Sequence, residues 1–270
     1  MEKTMGTTMD KTTVEKLNKI KLFLFDMDGT VYLGDKEIFG SFKAIKMLKS
    51  QGKQICFLTN NSSKTREMYV QKLQSLGFVA TLDEIYTSSE ATCEFLNKNY
   101  FNKKVYIVAT PQVTDFFASK NINIVTDNPD ICVLTFDTTL TYEKLNTLCR
   151  FIQNGVPFVA THPDNFCPSN LGNMPDIGGF LRLIDATTNA KPIAICGKPN
   201  KTMGEAIIGK FNLKAEEIAM VGDRLYTDIQ FAINNNFLSV LVLSGETTMQ
   251  EYENWGKCAD VVLNSLNDLN

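Results

Sequence analysis

One histidine, His162, occurs in the 270 residues. Histidine-based catalysis anywhere else in the chain is therefore excluded. No C-x-x-C pair occurs among the seven cysteines, at positions 56, 93, 132, 149, 167, 196 and 258. Their number is odd, and several lie in apolar strand-like runs, where a reduced thiol behaves as a small hydrophobe. A reducing cytoplasm is the expected compartment. Apolar runs stop well short of the roughly 20 residues that a membrane helix needs. Basic charge is not in excess either: 27 Lys and Arg face 30 Asp and Glu, for a net charge of −3. That balance argues against a broad surface for nucleic acid or anionic membrane. Met1–Lys19 is polar and Thr/Lys-rich, without the apolar segment of a signal peptide. Residues 1–20 are expected as a flexible leader, with Met5 and Met9 as further candidate starts.

What is present is a soluble globular composition, 44% hydrophobic and 21% charged, in a chain long enough for one large domain or two ordinary ones. Short apolar runs alternate with helical spacing, the pattern of a parallel α/β sheet. Strands are expected at Leu22–Phe25, 55–58 and Ile85–Thr87, then at 193–196, 218–221 and 238–243. Helices are expected around Phe42, Ile45 and Leu48, stopped by Gly52, and around Tyr69 and Leu73, closed by Gly77. Two more surround Met203 and Ile207, and Ile229 and Ile233. The second should end in Asn234–Asn236, since Asn is the best non-Gly residue for a left-handed cap. Between the halves, 88–190 has its own strands (105–108, 131–134, 156–160) and helices (115–120, 142–152). The expected fold is α/β: a Rossmann-like parallel-sheet core made from both chain ends (21–87 and 191–270), with an α/β domain inserted at 88–190.

Four segments, each following an apolar strand, carry the chemistry. Asp26-Met27-Asp28-Gly29-Thr30 delivers two carboxylates into a turn that Gly29 can make. Clustered carboxylates resist desolvation unless a cation shares the site, and Mg2+ prefers oxygen ligands. One carboxylate can attack phosphorus to form an acyl phosphate, and the other can act as general acid and base. Thr59-Asn60-Asn61-Ser62-Ser63 gathers hydroxyl, amide and backbone N–H donors before a helix, a place to hold a phosphoryl group. Cys196-Gly197-Lys198-Pro199 offers a lysine that can balance the carboxylates. Gly222-Asp223-Arg224-Leu225-Tyr226-Thr227-Asp228 supplies Asp223 as a further metal ligand and Asp228 as support for a metal-bound water or the Lys198 ammonium.

Together these segments closely resemble the haloacid-dehalogenase-like hydrolase superfamily. More narrowly, Asp26–Gly34, Leu58–Ser62, Gly197–Pro199 and Val221–Ile229 are similar to its sugar-phosphate and p-nitrophenyl phosphatase subfamily. The resemblance implies Asp26 as nucleophile and Mg2+ ligand, and Asp28 as general acid/base that lends its backbone carbonyl to the metal. It implies phosphate binding by Thr59 and Asn60, charge neutralisation by Lys198, a metal-ligand role for Asp223 and a supporting role for Asp228. Asn61, Gly29 and His162 complete the expected substrate-binding set. Thr59 follows Asp26 by 33 residues and Lys198 follows Thr59 by 139, so the inserted segment is expected to be the family's cap, at its second insertion point. Related enzymes usually have Asn where this chain has His162, which either touches the leaving group from the cap or serves as a structural residue beside Pro163. The implied activity is Mg2+-dependent hydrolysis of small phosphorylated metabolites through an aspartyl-phosphate. The implied partner is that metabolite, with a homodimer through the cap and neither nucleic acid nor membrane involved. The runner-up is a phosphotransferase or mutase that passes the phosphoryl group to another hydroxyl. A catalytically idle relative would have lost Asp26, Asp28, Lys198 or Asp223, and all four are present.

Overall fold

The computed structural model describes residues 11–168 and 171–269. The first ten residues of the expected leader lie outside it. The remainder of that segment is helical over Lys11–Lys19, with Leu17 buried, and Ile20 beyond it is buried as well. A polar composition hid the apolar anchors, because two are enough to dock a short helix.

The chain divides into two compact units. One comprises Met1–Leu58, Gln74–Glu84 and Ile208–Asn270; the other comprises Thr59–Leu73 and Ile85–Ile207. The second unit thus holds the expected inserted segment 88–190 together with Thr59–Leu73, 85–87 and 191–207.

In the first unit, strands run in parallel in the order Val261–Leu263, Leu238–Val242, Ile218–Gly222, Leu22–Phe25, Gln54–Thr59. Leu22–Phe25 is buried at every position, as a central parallel strand covered on both faces must be. Each such Leu or Phe contributes roughly 1.5–3 kcal/mol by leaving water. Phe25 pairs with Val221 on one side and Phe57 on the other, so Asp26 and Gly222 emerge at neighbouring strand ends. The helix Ser41–Ser50 buries Phe42, Ile45 and Leu48, and Gly52 follows it with a positive φ. The helix Gln230–Asn235 ends at Asn236 with φ 57° and ψ 34°, the left-handed cap expected from its triplet of asparagines.

In the second unit the strands are also parallel, in the order Ala194–Ile195, Phe158–Ala160, Ile131–Leu134, Lys104–Val108, Asn123–Ile124. The helices Ser88–Asn99, Pro111–Ser119, Tyr142–Gln153 and Ile177–Thr188 accompany them. Thr87, Thr141 and Asp176 cap three of these by accepting backbone N–H groups. The strand expected at 193–196 forms as Ala194–Ile195 and pairs with Val159 and Ala160 of this sheet. Among the described residues no helix is long and apolar enough to cross a membrane.

Candidate active site

The expected site residues fall into two groups, one in each unit.

The first group grows from the ends of Leu22–Phe25 and Ile218–Gly222. Asp26 donates its backbone N–H to Val221 (2.9 Å), which ties the two strand ends together. The chain then doubles back: the Met27 carbonyl accepts from Val31 (2.9 Å) and Tyr32 (3.1 Å), and Gly29 N–H donates to the Tyr32 carbonyl (2.8 Å). Gly29 has φ +87°, and a Cβ there would collide with the Asp223 carboxylate. Gly245 approaches Asp223 as closely, and Gly222 does the same to Asp228. Glycines therefore shape the walls around these acids.

Carboxylate oxygens of Asp26, Asp223 and Asp228 all lie within 4.8 Å of one another. Both Asp223 oxygens are held: Oδ1 accepts from the Thr30 hydroxyl (3.0 Å) and Oδ2 from the Glu246 backbone N–H (2.7 Å). Asp228 Oδ2 accepts from the Arg224 backbone N–H (3.1 Å). Burial, followed by the charge of Asp228, pushes the Asp223 carboxyl up to about 6. An all-oxygen set of three crowded acids, two of them almost wholly buried, fits a hard divalent cation such as Mg2+. Asp28 stands in the turn, bridged to Tyr32, and its carboxylate is not one of the three.

Arg224 was missed as a site residue, although it lies inside the quoted motif. Burial works against its charge, but the carboxylates of Asp26 and Glu246 hold it firmly protonated. Its Nε lies 2.9 Å from Glu246 Oε2. This is an ion pair by distance whose N–H is not aligned for a hydrogen bond. Glu246 also accepts from the Tyr226 hydroxyl (2.6 Å). Nothing in the sequence pairs Glu246 with Arg224, since they meet only through the fold.

The second group grows from the strand end at Thr59 and the loop after Ile195. Thr59 Oγ1 accepts the Asn61 N–H (3.1 Å), and Asn61 Oδ1 accepts both the N–H (2.9 Å) and the hydroxyl (2.7 Å) of Ser63. Asn61 thus shapes its own loop. The Ser62 hydroxyl, wholly buried, pairs with Thr161 Oγ1 (2.7 Å) and accepts the Phe136 N–H (2.8 Å). Lys198 is buried at 2% exposure, and Asn60 holds its backbone by two hydrogen bonds, Lys198 N to Oδ1 (2.8 Å) and Nδ2 to Lys198 O (2.9 Å).

His162, expected either to touch the leaving group or to serve as a structural residue, belongs to this group. Its ring has no exposed surface; Nε2 lies 3.0 Å from Asp176 Oδ1 and Nδ1 lies 3.3 Å from Thr161 Oγ1. Burial disfavours the charged ring, but the Asp176 carboxylate outweighs it and holds the imidazole above its ordinary value. Asp176 also caps the helix Ile177–Thr188 by accepting the Ile177 N–H (2.7 Å). With both nitrogens engaged and solvent excluded, the ring is read as structural. A single histidine gives no sequence signal of which partner will bury it.

Family models match both ends of the chain: one described as haloacid dehalogenase-like hydrolase covers residues 23–123, and a second, HAD-hydrolase-like, covers 195–269. The chain belongs to the haloacid dehalogenase-like hydrolases. An acid sugar phosphatase from Staphylococcus saprophyticus is 32% identical, over 88% of this chain and 92% of its own. A 4-nitrophenylphosphatase from Schizosaccharomyces pombe is 33% identical, over 88% of each. Among solved structures, a 4-nitrophenylphosphatase from Thermotoga maritima superposes with TM-score 0.91 at 42% identity, covering 94% of this chain and 97% of that one. These relatives bear out the branch read from the four motifs and put the chain among the phosphoric monoester hydrolases. The parallel-sheet α/β fold expected from the sequence is borne out with them.

Proposed function

We propose that this enzyme is a Mg2+-dependent phosphatase of small phosphorylated metabolites, a sugar phosphate or similar monoester, working through an aspartyl-phosphate on Asp26. The observation that carries the reading is the convergence of Asp26, Asp223 and Asp228, an all-oxygen set of the kind a hard divalent cation prefers. Asp26 and Asp223 would hold the ion with the Asp28 carbonyl, and Asp228 would orient what the ion binds. When bound, the ion supplies positive charge against the phosphoryl oxygens and the attacking carboxylate.

The chain's own residues do the rest. Asp26 attacks phosphorus and carries the phosphoryl group. Asp28 protonates the departing ester oxygen, then takes a proton from the water that opens the acyl phosphate. The Thr59 hydroxyl donates to the phosphoryl group, and the Lys198 ammonium balances developing charge. Gly29 lets the turn pass close to Asp223. Residues 21–87 and 191–270 would form the hydrolase core, and 88–190 the cap that keeps stray water from the acyl phosphate. A cytoplasmic setting and a homodimer through the cap complete the proposal.

The direct test is phosphate release from p-nitrophenyl phosphate and a panel of sugar phosphates, with Mg2+ and with a chelator. Turnover in Mg2+ that stops on chelation is expected. Undiminished turnover in the chelator, or hydrolysis of phosphoproteins but not of small esters, would overturn the reading.

A further inference from the structure

The Asn60 side chain was expected to bind phosphate, but its contacts describe another task. Its Oδ1 accepts the Lys198 N–H at 2.8 Å, and its Nδ2 donates to the Lys198 carbonyl at 2.9 Å and to Asp164 Oδ1 at 3.0 Å. Nδ2 carries two hydrogens, and both are taken. A phosphoryl oxygen accepts hydrogen bonds and so finds no donor left on this amide. The amide orientation is fixed by its partners, because the reverse would set N–H against N–H and oxygen against oxygen.

The surroundings are built for this pairing. A Cβ at Gly197 would collide with Asn60 Oδ1 and the Thr161 carbonyl, so only glycine lets the peptide of Lys198 come so near. The Asn60 carbonyl accepts from the buried Ser88 hydroxyl at 2.5 Å, which fixes the residue from behind. Asp164 is anchored as well, its carbonyl accepting the Gly178 N–H at 2.8 Å near the start of the helix Ile177–Thr188.

We propose that Asn60 is a positioning residue: its amide grips the backbone of Lys198 as a strand neighbour would and locks that grip to the carboxylate of Asp164. This rests on the proposed role of Lys198 in phosphoryl transfer and deepens it. The hydroxyl of Thr59, and not the amide of Asn60, is then the side-chain donor of this loop to the phosphoryl group.

The test is a carboxylate–amide swap. Asn60→Asp keeps one acceptor for the Lys198 N–H but turns its other oxygen on the Lys198 carbonyl and on Asp164. We expect kcat on p-nitrophenyl phosphate to fall on the order of tenfold or more. Asp164→Asn alone costs about twofold, since an amide there can turn its oxygen to Asn60. In Asn60→Asp/Asp164→Asn the amide of residue 164 donates to the carboxylate of residue 60 while the clash with the Lys198 carbonyl stays, so part of the loss returns, a coupling that only direct contact produces. No recovery in the double variant, with folding intact by circular dichroism, overturns the inference. Should Asn60→Asp fail to fold, the wild-type protein decides by NMR. The Asn60 side-chain NH2 signal should stay in place on adding inorganic phosphate with Mg2+, and a large shift contradicts the inference. Failure of the proposed function looks different, because then the wild-type enzyme itself releases no phosphate.

Discussion

The acid group around Asp223 and the amide group around Asn60 are built on opposite principles. In the first, three carboxylates approach within 4.8 Å, walled by glycines, with Asp223 accepting from Thr30 and Glu246 and Asp228 from Arg224. Like charges crowd there, and Asp223 responds by holding its proton up to about 6. In the second, a buried lysine is gripped through its peptide by a neutral amide, and donors and acceptors match one for one. The acid group gathers like charges, whereas the amide group pairs each donor with an acceptor.

The largest effect should come from the acid group. Asp26→Asn should lower kcat at least about a thousandfold while the circular dichroism spectrum and melting temperature stay near wild type. A fall in melting temperature of similar severity would mean that Asp26 is structural. Lys198→Ala tests the other group and should lower kcat on p-nitrophenyl phosphate about a hundredfold to a thousandfold. A smaller loss than from any single acid substitution elsewhere would remove Lys198 from the chemistry.

Metal removal sharpens the contrast through pH. Asp223 ionises near 6 in the folded chain, above its ordinary 3.8. The stability it lends the metal-free protein is present below about 4 and is lost as pH rises through about 6. Under the proposed function Mg2+ would bind the ionised acids, so its effect on melting temperature should be larger at pH 7.5 than at pH 5. Equal shifts at both values would contradict the proposed ligands. For the amide group, His162→Asn should cost about 1–3 kcal/mol of stability and leave the ranking of substrates unchanged. The raised value of His162 means its ion pair stabilises fully below its ordinary 6.5 and fades as pH climbs past its folded value. The loss in His162→Asn should therefore be greater at pH 6 than at pH 9. Smallest of all, Asn236→Ala should cost about 1 kcal/mol in thermal unfolding, because its left-handed φ disfavours a Cβ without a polar group.

Much of this was legible in the residues themselves. Leu22–Phe25 declares itself a buried strand by an unbroken apolar run, and Asp26-x-Asp28 declares a charged turn beyond it. Asn234-Asn235-Asn236 announces a left-handed stop. What escaped was whatever depends on partners far along the chain. An apolar run at 193–196 does not say which sheet it will join, and Ala194 finds Val159. Asn60 reads as a donor beside a strand end, and only the fold supplies the Lys198 carbonyl and the Asp164 carboxylate that take its two hydrogens. His162 leaves two readings open, and the fold supplies Asp176, fourteen residues on, as the partner of its buried ring. Composition also undercounts anchors, as Leu17 and Ile20 show in an otherwise polar segment.

The covalent step through Asp26 can be tested most directly by trapping. The enzyme is mixed with p-nitrophenyl phosphate and Mg2+, quenched in acid during steady turnover, and treated with borohydride, which reduces an acyl phosphate to an alcohol. Peptide mass spectrometry should then find residue 26 converted from Asp to homoserine, in the wild type and not in Asp26→Asn. Full turnover with residue 26 unmodified, or the modification at another acid, would contradict the account.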